Sequence, residues 1–392
     1  MLRVGVIANE YFDPAYGRTG GFGWAAKRAI EALTQPGSGI KQVLVLPGVR
    51  LKGAPRRILG CSVKFPRRGK LVNRLRLLGQ RPDLLFCIDY RPAYRVWFDT
   101  FPATPVVIWA RDPRTDSDWN LLRQLRIPGS EQAPGGISQI DTRSLGVYAT
   151  NQPIRSRPIL IASKLPHLRA KVREVYGLDD SGLLLSNPDV GGGHSRVHAE
   201  KSDRPTVLFL GRLDPIKRPW LFVALAGRLP DVDFLMAGVN HFPGKDGWRP
   251  VATPPNLRFV GHIDGPAKYD LIATSWLLVN TSIYEESPVS VFEALQCETP
   301  VVSLTDWGGL VERFGECVGP ADSEEVLVER LARAVEGLLR DAARRTSLGR
   351  AGRTFVATEC NDGRFLEDFR ALCRRVGLPV PDDPGDVSLA MG

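Results

Sequence analysis

The sequence predicts an α/β protein of two doubly wound parallel sheets, and three observations carry that reading. Short apolar runs rich in Val, Ile and Leu recur with helical stretches between them, the pattern of parallel strands buried on both faces by crossover helices. At 392 residues the chain exceeds what one hydrophobic core usually serves. A Gly-rich polar break from Asp189 to Pro205, holding Gly191, Gly192, Gly193 and the charged run from His198 to Arg204, separates two such series.

In the first series strands are predicted near Leu2 to Ala8, Gln42 to Leu46, Leu84 to Ile88, Val106 to Trp109, Ile159 to Ala162 and Leu183 to Leu185, in an open, parallel sheet. Gly20-Gly21-Phe22-Gly23 opens a helix through Leu33; the glycines let backbone approach a ligand closely, or else form a loop with no ligand. In the second series strands fall near Thr206 to Leu210, Asp233 to Ala237, Leu257 to Val260, Leu277 to Asn280 and Val301 to Ser303. Helices run from Pro266 to Thr274 and from Pro288 to Gln296. From Glu324 to Arg345, Val326, Leu327, Leu331, Ala334, Val335 and Leu338 fall at helical spacing and predict one covering helix. An amphipathic segment from Arg364 to Val376 precedes a Pro- and Asp-rich tail, where no regular structure is expected. The boundaries that follow are a domain over 1–190, a linker over 191–204, a domain over 205–362, a helix over 363–378 packing back on the first domain, and a tail over 379–392.

An apolar fraction of 43% with 24% charged residues excludes the disordered, fibrous and low-complexity classes. The net charge of +9 is concentrated, because no Asp or Glu lies between Glu31 and Asp83. That window holds Arg50, Lys52, Arg56, Arg57, Lys64, Arg67, Arg68, Lys70, Arg74, Arg76 and Arg81, and reads either as the seat of an anionic partner or as a solvated arginine-rich surface. Within it, Leu71 to Leu78 with Arg74 and Arg76 among the leucines reads as a core helix with solvated arginines, or as a helix lying on an anionic membrane. Six scattered cysteines without a CxxC pair or clustered His predict reduced thiols, no zinc and a cytoplasmic location, and the membrane reading of the basic window would add peripheral contact at the cytoplasmic face. The opening MLRVGVIANEYF reads as a strand, so no secretory signal is expected, and no apolar run has the length to span a bilayer. The Asn280-Thr281-Ser282 sequon is discounted because it sits in a strand-end pattern.

Two stretches carry chemistry. From Tyr284 to Leu295 a strand ends, a loop follows and a helix starts, with Ser287 and Pro288 suited to N-cap and N1. The first free N–H groups, at Val289 and Ser290, then suit a phosphate at the carboxyl ends of the strands. Glu285 precedes that helix, and Glu293 lies more than a turn inside it, placed to accept from vicinal hydroxyls such as those of a ribose. Gly211-Arg212-Leu213-Asp214-Pro215-Ile216-Lys217 follows the first strand of the second series and puts two cations on one βα turn, a donor set for a departing diphosphate. Asp116-Ser117-Asp118 imitates a metal-binding DxD motif but is read as a solvated loop.

The spacing from Glu285 to Glu293, the run Glu293-Ala294-Leu295 to Thr299-Pro300-Val301-Val302 followed by Gly308-Gly309, and the Gly-Arg-Leu-x-x-x-Lys element together resemble family 4 glycosyltransferases. Asn256 to Gly261, Ser163 and Asn187-Pro188 are similar too; the resemblance covers the second domain well and the first thinly. It implies a GT-B fold of two Rossmann-like domains facing an interdomain cleft. It also implies a UDP-, GDP- or ADP-linked sugar donor, an acceptor glycan, lipid-linked sugar or small molecule, transfer with retention, and neither metal nor cofactor. On that basis Arg212 and Lys217 hold the diphosphate, Glu285 the donor sugar's hydroxyls and Glu293 the ribose, with Gly211, Val289 and Ser290 also on the donor. Gly20, Gly21 and Arg111 fall on the acceptor or phosphate side, and His262 reads as a neighbour of the donor base or as an ordinary loop histidine. Two departures stand out: Glu286, Ser287 and Pro288 replace the family's small residues, and Trp109-Ala110-Arg111-Asp112 stands where many members carry His.

A nicotinamide oxidoreductase is disfavoured, because no G-x-G-x-x-G follows the first strand. A nucleic-acid-binding protein would leave Arg212, Lys217, Glu285 and Glu293 without a role. A GT-B epimerase or phosphorylase, or an inactive sugar-nucleotide-binding relative, shares the architecture and stays open.

Overall fold

The computed structural model describes residues 1–10, 20–49, 55–67, 69–128, 139–151, 157–189, 200–242 and 247–380. Most of the expected linker (191–199) and most of the expected tail (381–392) lie outside them, as do Arg50, Lys52 and Arg68.

The chain begins with β1 (Leu2–Ala8), α1 (Gly21–Thr34), β2 (Ile40–Pro47), β3 (Arg57–Ile58), β4 (Cys61–Val63) and α2 (Lys70–Arg76). Next come β5 (Leu84–Ile88), α3 (Arg95–Thr100), β6 (Val106–Ala110), α4 (Asp116–Gln124), α5 (Ser144–Thr150), β7 (Ile159–Ser163) and α6 (Arg169–Tyr176). The later part runs β8 (Thr206–Leu210), α7 (Pro219–Arg228), β9 (Asp233–Ala237), β10 (Leu257–Gly261), α8 (Gly265–Thr274), β11 (Leu277–Asn280) and α9 (Val289–Gln296). It closes with β12 (Val301–Ser303), α10 (Leu310–Phe314), β13 (Gly315–Cys317), α11 (Glu324–Arg340), α12 (Ala342–Glu359) and α13 (Asp362–Arg375). These elements form two compact units. One comprises Met1–Thr115, Ile140–Asp189 and Cys360–Gly392; the other comprises Asp116–Gln139 and Val190–Glu359.

The first unit holds a seven-stranded sheet in the order β3-β4-β2-β1-β5-β6-β7. Side chains alternate across it, as a two-residue period requires. Val4, Val6, Val43, Val45, Phe86 and Trp109 face the layer of α1 and α13, while Ile7, Leu44, Leu46, Cys87 and Ile108 face the layer of α3, α5 and α6. This double burial is why the strands read as unbroken apolar runs. The expectation of a wholly parallel sheet needs correction at one edge, where β3 and β4 pair antiparallel. Their turn, Leu59-Gly60, has positive φ at both residues (48° and 75°), the twist that joins a tight hairpin. Leu183 to Leu185 likewise contributes only a bridge, from Ser163 to Leu184.

The second unit holds six parallel strands in the order β10-β9-β8-β11-β12-β13. Val207, Phe209, Phe234, Met236 and Val279 pack against Leu221, Phe222 and Leu225 of α7 and against Leu331, Val335 and Leu338 of α11. The single helix expected over Glu324 to Arg345 is two. Asp341 ends α11, and its carboxylate accepts the Arg344 N–H (2.8 Å) to start α12. Strand order reverses between β8 and β11, so the loops after these two strands diverge and leave a crevice at their carboxyl ends. Among the described residues no helix is long and apolar enough to cross a membrane.

Candidate functional site

Beyond β8 the chain turns at Gly211, whose N–H donates to Ala237 O (3.0 Å). A Cβ at Gly238 would overlap the Gly211 carbonyl oxygen, so glycine there lets the ends of β8 and β9 close together. Asp214 shapes the turn: its Oδ1 accepts the Lys217 N–H (3.1 Å), and its Oδ2 lies 3.3 Å from Arg212 Nη2. The loop after β11 is stitched to this turn. Thr281 Oγ1 donates to Lys217 O (2.6 Å), Arg218 Nε to Thr281 O (3.0 Å) and Ile283 N to Ile216 O (2.9 Å). Arg218 takes a left-handed conformation (φ 45°) between the turn and α7.

This stitching brings two residues 68 positions apart into contact. Lys217 Nζ forms an ion pair with Glu285 Oε1, both side chains being mostly sheltered from solvent. Ser282 Oγ lies within hydrogen-bond distance of the same oxygen (3.3 Å), and Trp307 Nε1 donates to the Glu285 carbonyl (2.9 Å). Arg212 remains about half exposed on the same turn. The ammonium and carboxylate of one ion pair and the half-exposed guanidinium of Arg212, itself paired with Asp214, thus stand together at the switch point.

Glu293 has a different setting. It is buried in α9, its Oε1 accepting from Lys268 Nζ (2.8 Å) and Tyr269 OH (3.2 Å) of α8. The start of α9 is one residue later than expected. Pro288, extended at ψ 127°, is the N-cap rather than the first helical residue, and Ser287 lies outside the helix. The N-cap residue, Pro288, makes no side-chain capping bond, and Val289 and Ser290 supply the first-turn N–H groups. His262 is exposed just after β10, the edge strand. The sequon is internally bound: Asn280 Oδ1 accepts the Ser282 N–H (2.8 Å), and all three residues are buried.

Asp116 and Asp118 form the first turn of α4 and not a loop, as acidic groups at a helix N-terminus are favoured by the dipole. Trp119 and Leu122 of that helix pack against Tyr284, whose OH donates to Glu286 Oε1 (2.5 Å). The loop carrying Glu285 is therefore braced by α4.

In the first unit, Gly20 N donates to Glu10 Oε2 (3.1 Å), and Gly21 begins α1 with open space where a side chain would stand. Arg111 is buried after β6, its Nη1 donating to Asn187 Oδ1 (3.0 Å) and its guanidinium 4.1 Å from the Trp109 ring centroid. Burial pushes its pKa down to about 10, with Asp89 opposing the shift. Asp89, after β5, adopts φ 58° and accepts from Tyr90 N (2.8 Å), Asp112 N (3.0 Å) and the Tyr176 hydroxyl.

With this geometry in hand, residues 194–355 match the family model described as Glycosyl transferases group 1. No curated protein matches the sequence. Solved structures extend the likeness to the whole chain. Sucrose-phosphate synthase from Thermosynechococcus elongatus superposes with a TM-score of 0.73 at 19% identity, covering 96% of this chain and 99% of that one. HepE from Anabaena, in complex with UDP and glucose, gives 0.67 at 13%, covering 96% and 100%. A glycosyltransferase from Rickettsia africae gives 0.65 at 12%, covering 96% and 98%. At such identities the likeness establishes the fold, which is GT-B.

Within the second unit, sequence reading singled out Arg212, Lys217 and Glu285 but missed the residues that hold them: Asp214, Arg218, Thr281, Ser282 and Trp307. It also missed Lys268 and Tyr269, the partners of Glu293. Asp214, the capping residue of a short turn, had a local signal. The others act through contacts between distant segments and leave none.

Proposed function

We propose that this protein is a retaining, metal-independent glycosyltransferase of family 4 that moves a hexose from a nucleotide-sugar to the hydroxyl of a glycan, lipid-linked sugar or small molecule. The observation that carries the proposal is the Lys217–Glu285 pair at the switch point, with Arg212 on the same turn. A donor diphosphate entering there takes hydrogen bonds from Lys217 and Arg212, and the Glu285 carboxylate turns to the hydroxyls of the sugar. As the bond from the anomeric carbon to the phosphate oxygen breaks, negative charge grows on the leaving diphosphate, where the two cations stabilise it more than in the ground state. The acceptor oxygen bonds to the anomeric carbon on the same face, and its proton passes to the departing phosphate oxygen. The first-turn N–H groups at Val289 and Ser290 serve the phosphate on this reading, and the Glu293 carboxylate serves the ribose. The HepE structures hold UDP and UDP-glucose, which makes UDP the first base to try.

Thermal unfolding with UDP, GDP and ADP, each with and without EDTA, tests the reading. A ligand at a hundred times its dissociation constant adds about 2.7 kcal/mol to stability. The expected result is one preferred nucleotide, unaffected by EDTA, and nucleotide release from the matching sugar donor only when an acceptor is supplied. Stabilisation by none of the three would overturn the proposal, and release without acceptor would favour an epimerase or hydrolytic activity.

A further inference from the structure

Helix α2 turns its apolar side outward. Leu71, Leu75 and Leu78 are 66%, 61% and 72% exposed, and Val72 is 46% exposed. At 100° per residue Leu71 and Leu75 lie about 40° apart on one stripe with Val72 on its margin, and the exposed Leu78 follows past the helix end. The opposite side is anchored. Leu77 is buried in the core of the first unit, and the buried Asn73 accepts the Arg67 N–H (2.9 Å) and donates to Arg67 O (3.0 Å). The core-helix expectation thus needs correction: Leu77 alone of the four leucines enters the core, while Leu71, Leu75 and Leu78 meet solvent with arginines beside them. Arg74 donates to Thr100 O (3.0 Å) and Asp99 O (2.8 Å), and Arg76 donates to Phe65 O (2.6 Å). These bonds to neutral carbonyls fix the guanidinium groups and leave their charge uncompensated. Arg67 and Arg76 also repel each other, with no acid in the sequence between Glu31 and Asp83.

We propose that α2 and its flanking arginines dock the protein on an anionic lipid bilayer. The four apolar side chains enter the boundary between headgroups and acyl chains, on the order of 5–10 Å deep, while the arginines meet lipid phosphates. Charge complementarity selects this occupant. A stripe only four side chains wide, bordered by like charges, suits a surface that supplies both hydrocarbon and diffuse negative charge. The inference is independent of the donor chemistry, since α2 lies in the first unit and the donor residues in the second.

Flotation of the full chain with vesicles tests it. Vesicles of phosphatidylcholine with phosphatidylglycerol should carry the protein, whereas phosphatidylcholine alone should not. Binding should fall as salt rises from 0.1 M toward 1 M, where the screening length drops from about 10 Å to about 3 Å. The triple variant Leu71→Ser, Leu75→Ser, Leu78→Ser should keep its thermal unfolding midpoint and lose binding by about tenfold or more. A fluorophore on Val72→Cys should shift to the blue with anionic vesicles only. Absence of flotation with anionic vesicles, equal flotation with neutral ones, or a triple variant that binds as wild type would each overturn the proposal. Salt-resistant self-association through the same leucines, without vesicle binding, would overturn it in favour of a second copy as the occupant.

Discussion

Lys217 has two claimants. Its ammonium pairs with Glu285, and on the proposed function a donor diphosphate takes the same cation. The two glutamate and lysine substitutions therefore separate in their effects. Glu285→Gln should leave nucleoside diphosphate affinity unchanged or raised, because the competing charge is gone, while transfer falls by about a hundredfold or more. Lys217→Ala should weaken both. Calorimetric titration with UDP beside a transfer assay checks this, and equal loss of UDP affinity in the two variants would show that Glu285 is not a competitor. The identities of these residues were legible because a βα turn with two cations and a loop with a carboxylate are local patterns. Their contact was not, since it depends on Thr281 and Arg218 tying two loops together.

Between elements, the Lys268–Glu293 pair joins α8 to α9 in a buried setting. Breaking such a pair on one side strands a charge. Lys268→Met or Glu293→Leu alone should cost about 3–5 kcal/mol of unfolding free energy, and the double variant much less than the sum. Urea denaturation of the three variants decides it; additive losses would mean that the two residues act separately. The helices α9, α11 and α13 were legible from strand–helix alternation and apolar spacing, but terminal chemistry set where α9 begins and α11 ends. Pro288 caps rather than begins α9, and Asp341 divides a stretch whose apolar spacing reads as continuous. Capping competes locally with the helix, and a hydrophobic pattern does not register it.

Across the whole molecule, the last helix of the chain belongs to the core of its first unit. Phe369 meets Phe86 edge-on at 5.2 Å between ring centroids and stacks near Phe365 at 6.0 Å. Phe369→Ala should destabilise that unit by about 3–5 kcal/mol, and truncation after Glu359 should yield insoluble protein, because Phe365, Leu366, Phe369 and Leu372 leave β1, β5 and α1 uncovered. Soluble, cooperatively folding protein from the truncated gene would contradict the role given to α13. An amphipathic helix declares its apolar face from sequence alone; the core that receives it lies hundreds of residues away.

The sequence by itself determined the α/β class, most strand positions and the turns bearing Arg212, Lys217 and Glu285, because burial on both faces and glycine-rich turns leave marks within a few residues. Only the tertiary structure decided strand order, the antiparallel edge hairpin, the buried partners of Glu293 and the outward face of α2. Each of these depends on which distant segment fills the space beside a residue. A leucine among arginines has the same local pattern whether the space beside it is protein or solvent.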